Sequence, residues 1–313
     1  MGSPMSEEAR LITALRALAT HAGARELRDD AAVIPAPLGR DLVLTHDMIV
    51  EGVHFLPDDP PGDVAWKLLA VNLSDLAAKA AEPIGVLMGY GLTGRPDWDD
   101  AFIAGFGRAL AHFGVPLLGG DTVAQPPGDR RVLGLTALGQ AAPGGAPDRR
   151  GAKAGDLLFV TGPIGDAGLG LRIAKGEIEG PRRLLKAYRL PMPRLAEGRR
   201  LGPMAHAMAD VSDGLLIDSR RIADASGLAV TLDLDAVPLS DEARRFGTDR
   251  AARLAAAVAG DDYQLLWAVP PARREAATMI GVEIGYFGNG AGIIVKDRGG
   301  AVPLPATIGY EHG

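Results

Sequence analysis

Lys67-Leu-Leu-Ala-Val-Asn72-Leu-Ser-Asp75-Leu-Ala-Ala78 sets polar residues inside a helix that is otherwise apolar. Asn, Ser and Asp are poor helix-interior residues, because their short side chains compete for backbone groups. Asn72 and Asp75 are three apart and share a helix face. Their neighbours Leu68, Leu69, Val71, Leu73 and Leu76 predict that this face is buried. A carboxylate there needs a cation or a hydrogen-bond partner. The helix is expected to start at a cap, Asp63, and to run to about Ala81, with Pro83 ending it.

Working outward, strands and helices alternate. Asp41 to Thr45 reads as a short buried strand ending at His46-Asp47, with Glu51-Gly-Val-His54-Phe55 just after it. Ser6 to about His21 reads as an amphipathic helix with Ser6 as N-cap. Downstream, Ile84 to Leu92 is a strand, and a helix capped by Asp97 runs to Gly114. Val115 to Leu118 is a strand that delivers Gly119-Gly120-Asp121-Thr122, whose glycines either let the backbone approach a phosphate or adopt positive φ, or simply make a tight turn. Arg131 to Gln140 is a further strand. Ala141 to Gly155, rich in Gly, Pro, Ala and Arg, reads as a linker. Asp156 to Thr161 opens a second series, closed by strands near 281–287 and 290–296. The stretch 180–193, with Arg182, Arg183, Lys186, Arg189 and two prolines, reads as a mobile segment. The alternation predicts two α/β domains, divided at 142/143, in a chain of 313 residues.

Seven aspartates stand at the ends of apolar runs and at helix entrances: Asp29, Asp30, Asp47, Asp75, Asp121, Asp210 and Asp213. Carboxylates so placed pack poorly and make good ligands for hard cations such as magnesium, which bridges carboxylates to substrate phosphates. Singly, each has a plainer reading. Asp29-Asp30 suits a solvated turn, Asp47 a cap or turn, and Ser212 or Asp213 a helix N-cap. His54 fits a substrate contact and a satisfied loop histidine equally well.

Composition narrows the classes. The net charge is −6, with no basic stripe of the kind that binds nucleic acid. There is no cysteine, which excludes disulfides, thiolate metal sites and cysteine nucleophiles and fits a cytoplasmic protein. No apolar run is long enough to span a membrane. Gly89-Tyr-Gly91-Leu-Thr-Gly94 formally matches a dinucleotide fingerprint. It lacks the acidic residue about 20 positions on and does not open into a helix. No Gly-Lys-Ser/Thr occurs, so a P-loop is excluded.

Taken in order, Asp29-Asp-Ala-Ala, Asp47-Met-Ile-Val-Glu-Gly-Val-His-Phe55, Lys67 to Ala78, Gly119-Gly-Asp-Thr122, Arg149-Arg-Gly-Ala-Lys-Ala-Gly-Asp156, Asp210-Val-Ser-Asp-Gly-Leu215, Gly260-Asp-Asp-Tyr263 and Gly309-Tyr-Glu-His312 resemble the thiamine-monophosphate kinases. These belong with the aminoimidazole ribonucleotide and selenophosphate synthetases. The resemblance implies a two-domain PurM-like α/β (α+β) fold, with an N-terminal sheet domain that forms a homodimer and a C-terminal layered domain. It implies ATP-dependent phosphorylation of thiamine monophosphate. Magnesium would be ligated by Asp30, Thr45, His46, Asp47, Asp75, Asp121, Asp210 and Asp213, of which Asp47, Asp75, Asp121 and Asp213 would be catalytic. ATP would meet Gly120, Asp121, Arg149 and Ser212, and the acceptor would meet His54, Asp261 and Tyr310. The chain departs from the family pattern at Arg28 (usually Gly), His46 (usually Thr or Ser), and Asp261 and Gln264 (usually Glu). The alternatives are another ATP-dependent enzyme of the superfamily and a non-catalytic magnesium–nucleotide module.

Overall fold

A computed structural model describes residues 6–28, 31–126 and 128–311. Asp29, Asp30 and His312 therefore lie outside the described residues. The chain divides into two compact units, Met1–Leu76 with Pro83–Gln140, and Ala77–Glu82 with Ala141–Gly313.

The first unit contains α1 (Glu7–Arg16), β1 (Leu42–Val50), most of α2 (Pro61–Ala78), β2 (Glu82–Leu92), α3 (Pro96–Phe113), β3 (Leu117–Ala124) and β4 (Val132–Gln140). Its four strands form one sheet in the order β1-β4-β2-β3. The Ser6 hydroxyl caps α1 by accepting the Ala9 N–H at 3.1 Å. Helix α2 buries Val64, Leu68, Leu69, Leu73 and Leu76. On α3, Phe102 and Phe106 are fully buried, and Tyr90 of β2 meets Phe102 with ring centroids 5.1 Å apart. The two helices approach backbone to backbone at Gly62 and Gly105, where a Cβ on Gly105 would fall well inside contact distance of the Gly62 backbone.

Several expectations are corrected. Strand β1 does not end at Thr45. It pairs antiparallel with β4 from Leu42–Gln140 through to Val50–Val132, so Thr45, His46 and Asp47 are mid-strand. Gly119 to Thr122 is not a turn, because parallel pairing with Leu87 to Tyr90 of β2 keeps it extended. A Cβ at Gly120 would run into the Met88 carbonyl, which accounts for glycine at that position. Pro83 lies inside β2, not at the end of α2. Helix α3 is capped at Arg95 with no side-chain bond, and Asp97 sits in its first turn.

The second unit builds a seven-stranded mixed sheet, in the order β11-β10-β7-β9-β5-β8-β6. Its strands are β5 (Leu157–Val160), β6 (Ala207–Asp210), β7 (Ala229–Asp233), β8 (Leu265–Val269), β9 (Val282–Gly288), β10 (Gly292–Asp297) and β11 (Gly300–Val302). Its helices are α4 (Asp166–Ala174), α5 (Arg182–Arg189), α6 (Leu195–Leu201), α7 (Leu215–Ala225), α8 (Asp241–Arg244), α9 (Arg250–Val258) and α10 (Arg274–Thr278). Strand period two sends Leu158 and Val160 into one core with Leu215, Leu216 and Ile222 of α7. It sends Leu157 and Phe159 into another, with Trp267, Leu201 and the alanines Ala77, Ala78 and Ala80. The stretch expected to be mobile contains α5, anchored by buried Leu184 and Tyr188. No helix among the described residues is long and apolar enough to cross a membrane.

Because Gly105 has no room for a methyl group, Gly105→Ala is expected to lower stability by roughly 1–3 kcal/mol through overpacking. Thermal denaturation of the purified variant checks this, and an unchanged midpoint would remove the close approach as a constraint.

Candidate active site

In the first unit, β1 and α2 bring four polar residues together. Thr45 and Asp47 are two apart and so project from the same face of β1. The Asp47 backbone N–H donates to Asn72 Oδ1 at 3.0 Å, and Asn72 Nδ2 donates to the Leu68 carbonyl, also at 3.0 Å. Asn72 is 0 % exposed, so both bonds are made away from water. One turn further along α2, the half-buried Asp75 accepts a hydrogen bond from the Thr45 hydroxyl. The predicted shared face of Asn72 and Asp75 therefore lies against the polar face of β1.

His46 points the other way. Its Nδ1 sits 2.9 Å from Thr136 Oγ1, on the residue that pairs with it in β4. Asp121 is exposed on β3 and accepts its neighbour Thr122's N–H at 2.9 Å. Gly119 to Thr122 borders a cavity of about 620 Å³, with Ile12, Leu15, Leu87 and Leu138 among its apolar lining residues. His54 is held from the end of β1 and from α2. Its Nδ1 accepts the Val50 N–H at 3.1 Å, and its carbonyl accepts from Lys67 Nζ at 2.8 Å.

In the second unit, Asp210 ends β6 and is buried, while Ser212 and Asp213 follow in a turn. Neither Ser212 nor Asp213 caps α7, as the sequence suggested. Asp218, inside the first turn of the helix, accepts the N–H groups of Ser212, Asp213 and Gly214 at 3.1–3.2 Å. Burial, and then the Asp213 carboxylate, push Asp218 up to about 6. Arg221 donates to both Asp213 and Asp218. Sequence reasoning missed Asp218 and Arg221. The available signal was their spacing, since Asp218 and Arg221 fall one turn apart on the helix that Asp213 introduces.

Asp261 stands at φ 68°, with its N–H donating to the Ser212 carbonyl at 2.8 Å and its Oδ1 accepting from the Tyr263 hydroxyl at 2.9 Å. The Tyr310 N–H donates to the Asp213 carbonyl at 2.9 Å, because Gly309 is small enough to lie against Ile217. Ser212, Asp213, Asp261 and Tyr310 thus meet around one turn. Arg149 is exposed on a short 3₁₀ turn whose backbone carbonyl accepts from Ser226 Oγ at 3.3 Å. Among the described residues, no three His, Asp or Glu side chains gather closely enough to hold a metal by themselves.

Asp262 follows Asp261 in the chain. It is buried and accepts from Gly165 N at 2.6 Å and Ala167 N at 3.3 Å, at the start of α4. Burial pushes it up to about 8, with the Asp166 and Asp261 carboxylates adding to the rise. A carboxyl raised on folding binds its proton more tightly in the folded state, so its contribution to stability falls as pH rises. The window runs from the ordinary value, about 4, to about 8. Thermal midpoints across pH 5–8 are expected to fall less steeply in Asp262→Asn than in the unaltered protein; parallel slopes would show that Asp262 is not raised.

The chain matches the family models for the AIR synthase related protein N-terminal domain over residues 28–141 and its C-terminal domain over residues 153–297. The thiamine-monophosphate kinase of Caulobacter vibrioides is 43% identical over 304 residues, covering 93% of this chain and 86% of that protein. The crystal structure of the Stenotrophomonas maltophilia thiamine-monophosphate kinase superposes with a TM-score of 0.82 at 34% identity, covering 96% of this chain and 99% of the other. A structure described as AaThiL complexed with AMPPCP and TMP gives 0.79 at 28% identity, covering 91% of each chain. With both domains matched in order and close relatives aligned along nearly its whole length, the chain belongs to the thiamine-monophosphate kinase family of enzymes.

Proposed function

We propose that this protein transfers the terminal phosphoryl group of ATP directly to thiamine monophosphate, giving ADP and thiamine diphosphate. The observation that carries the reading is the set of oxygen groups facing each other across β1 and α2: Thr45, Asp47 and Asp75. Support comes from the family relative that forms a complex with AMPPCP and TMP. We assign nucleotide and magnesium binding and dimerisation to residues 1–142, and completion of the acceptor site to residues 143–313.

The donor set fits magnesium. Its groups are hard oxygens, and they are few at any one place, which suits an ion that keeps waters and phosphate oxygens in its shell. In the first unit Thr45, Asp47, Asp75 and Asp121, with Asp30, would hold it; in the second, Asp210 and Asp213 would. An imidazole has no oxygen and the His46 ring lies on the far face of β1, so position 46 would contribute its backbone carbonyl. Bound magnesium would clamp phosphate oxygens and neutralise the charge that builds during transfer.

The chain's own residues position the reactants. Gly120 and Asp121 stand beside the mainly apolar cavity and suit the nucleotide, as do Ser212 and Arg149 in the second unit. His54, Asp261 and Tyr310 would contact the acceptor, with the Tyr310 ring flanking its heterocycle. The attacking phosphate oxygen is already ionised at neutral pH, so no strong general base is needed and in-line displacement suffices.

We also propose that a second copy covers the outer face of β1. That edge strand exposes Leu42, Leu44 and Met48, with Leu44 59% exposed, on the face opposite Thr45 and Asp47. Apolar rows of this kind on an edge strand are rare without a partner.

Three experiments test these readings. The protein is incubated with magnesium, ATP and thiamine monophosphate, and thiamine diphosphate is sought by chromatography; its absence from folded protein would overturn the kinase assignment. Asp75→Asn is expected to reduce turnover about 100-fold or more while the thermal midpoint stays within a few degrees, in line with the loss of one charged transition-state contact. Near-normal turnover would remove Asp75 from the set. Sedimentation should give a dimer that Leu44→Asp dissociates, and a monomeric unaltered protein would overturn the assembly.

A further inference from the structure

The loop that carries His54 is tied to a charge pair, with its arginine buried, that the reaction itself does not use. Glu51 opens the loop. Its N–H donates to the Arg131 carbonyl at 2.9 Å, and its Oε2 accepts from Arg131 Nη1 at 2.6 Å. The Arg131 side chain is only 4% exposed, and the guanidinium carbon lies 4.2 Å from the centroid of the Trp98 ring. Its Nε and Nη2 meet no hydrogen-bond acceptor among the described residues. Glu51 is thus the carboxylate partner of a cation otherwise held against an aromatic face.

Trp98 is itself fixed. It stacks on Phe102, with centroids 5.3 Å apart and planes 18° from parallel, and Phe102 packs on Tyr90. The Tyr90 hydroxyl donates to Asp99 Oδ1 at 2.7 Å, next to Trp98 on α3. A rigid wall therefore runs from the α3 aromatic residues through Arg131 to Glu51. From Glu51 the loop closes on itself. Gly52 N donates to the Phe55 carbonyl at 2.8 Å, and His54 N to the Val50 carbonyl at 2.9 Å. The Val50 N–H donates to His54 Nδ1 at 3.1 Å. An Nδ1 that accepts carries no proton, so the ring proton sits on Nε2. Two residues separate the charge pair from an imidazole whose orientation and tautomer are both set where this loop leaves β1.

We propose that Glu51 and Arg131 are positioning residues for acceptor recognition: their ion pair, braced on Trp98, holds the 51–55 loop so that the His54 ring presents Nε2–H to the bound phosphate ester. The pair acts through His54 and touches no reacting atom. This inference rests on the assignment of His54 to the acceptor, and it predicts an effect on one substrate only.

The test compares the unaltered chain, Glu51→Gln, Arg131→Met and the double variant, all full length. Steady-state kinetics are expected to show KM for thiamine monophosphate raised about tenfold in each variant, with KM for ATP within about twofold. The double variant removes both charges, so its thermal midpoint should recover relative to Arg131→Met, while the acceptor KM stays as high as in the single variants. An acceptor KM that returns to normal along with the midpoint would reduce the pair to a structural role and overturn the proposal. So would equal rises for both substrates. The ¹⁵N spectrum of the His54 ring reads the loop without any substrate. The Nε2–H tautomer pattern is expected in the unaltered protein and blurred or lost in Glu51→Gln; an unchanged pattern in the variants overturns the proposal even if the chain proved inactive on thiamine monophosphate. Failure of the unaltered protein to form thiamine diphosphate would instead count against the kinase assignment.

Discussion

The side-chain amide of Asn72 accepts the backbone N–H of Asp47 and donates to the Leu68 carbonyl of its own helix, with no exposure to water. A buried amide left unpaired costs about 1–3 kcal/mol, so the two bonds fix how α2 lies on β1. That fixes a register. With Asn72 under Asp47, Asp75 falls opposite Thr45, and the carboxylate meets a hydroxyl instead of a leucine. A one-residue slip of β1 would turn Thr45 and Asp47 to the opposite face and bring His46 and Met48 against the helix.

The second unit uses its carboxylates differently. Asp218 collects three backbone N–H groups and shapes the turn that presents Ser212 and Asp213. Asp262 does the same for the glycine turn before α4, and it leaves its neighbour Asp261 in a left-handed conformation beside Ser212. These are acids that hold backbone in place so that their neighbours in sequence stand at the turn where Tyr310 also arrives. The two roles cannot be separated by residue type. Asp218 and Asp262 are buried, accept backbone N–H groups and are raised in pKa, whereas Asp121 lies at the surface.

Much of the fold was legible in the chain. The hydrophobic period placed α1, α2, α3 and most strands, and the ordered motifs led to the family. Errors clustered where local signals are ambiguous. Glycines at 119 and 120 signal a turn unless a neighbouring strand approaches too closely for a Cβ, which is what Met88 does. The basic, proline-flanked stretch 182–189 looked unstructured because its anchors, Leu184 and Tyr188, gain meaning only once α4 covers them.

For the site, the sequence by itself determined the chemistry. Its inventory of oxygen donors without cysteine, its polar residues inside an apolar helix and the order of its motifs are properties of the covalent chain. Only the tertiary structure decided the partnerships: that His46 turns to Thr136 and away from Asp47, that Asp213 is shared with Arg221, and that Glu51 reaches Arg131 eighty residues on. The physical reason is that strand faces and charge pairs are set by pairing register and packing between distant segments. Neither is encoded in the neighbours of a single residue.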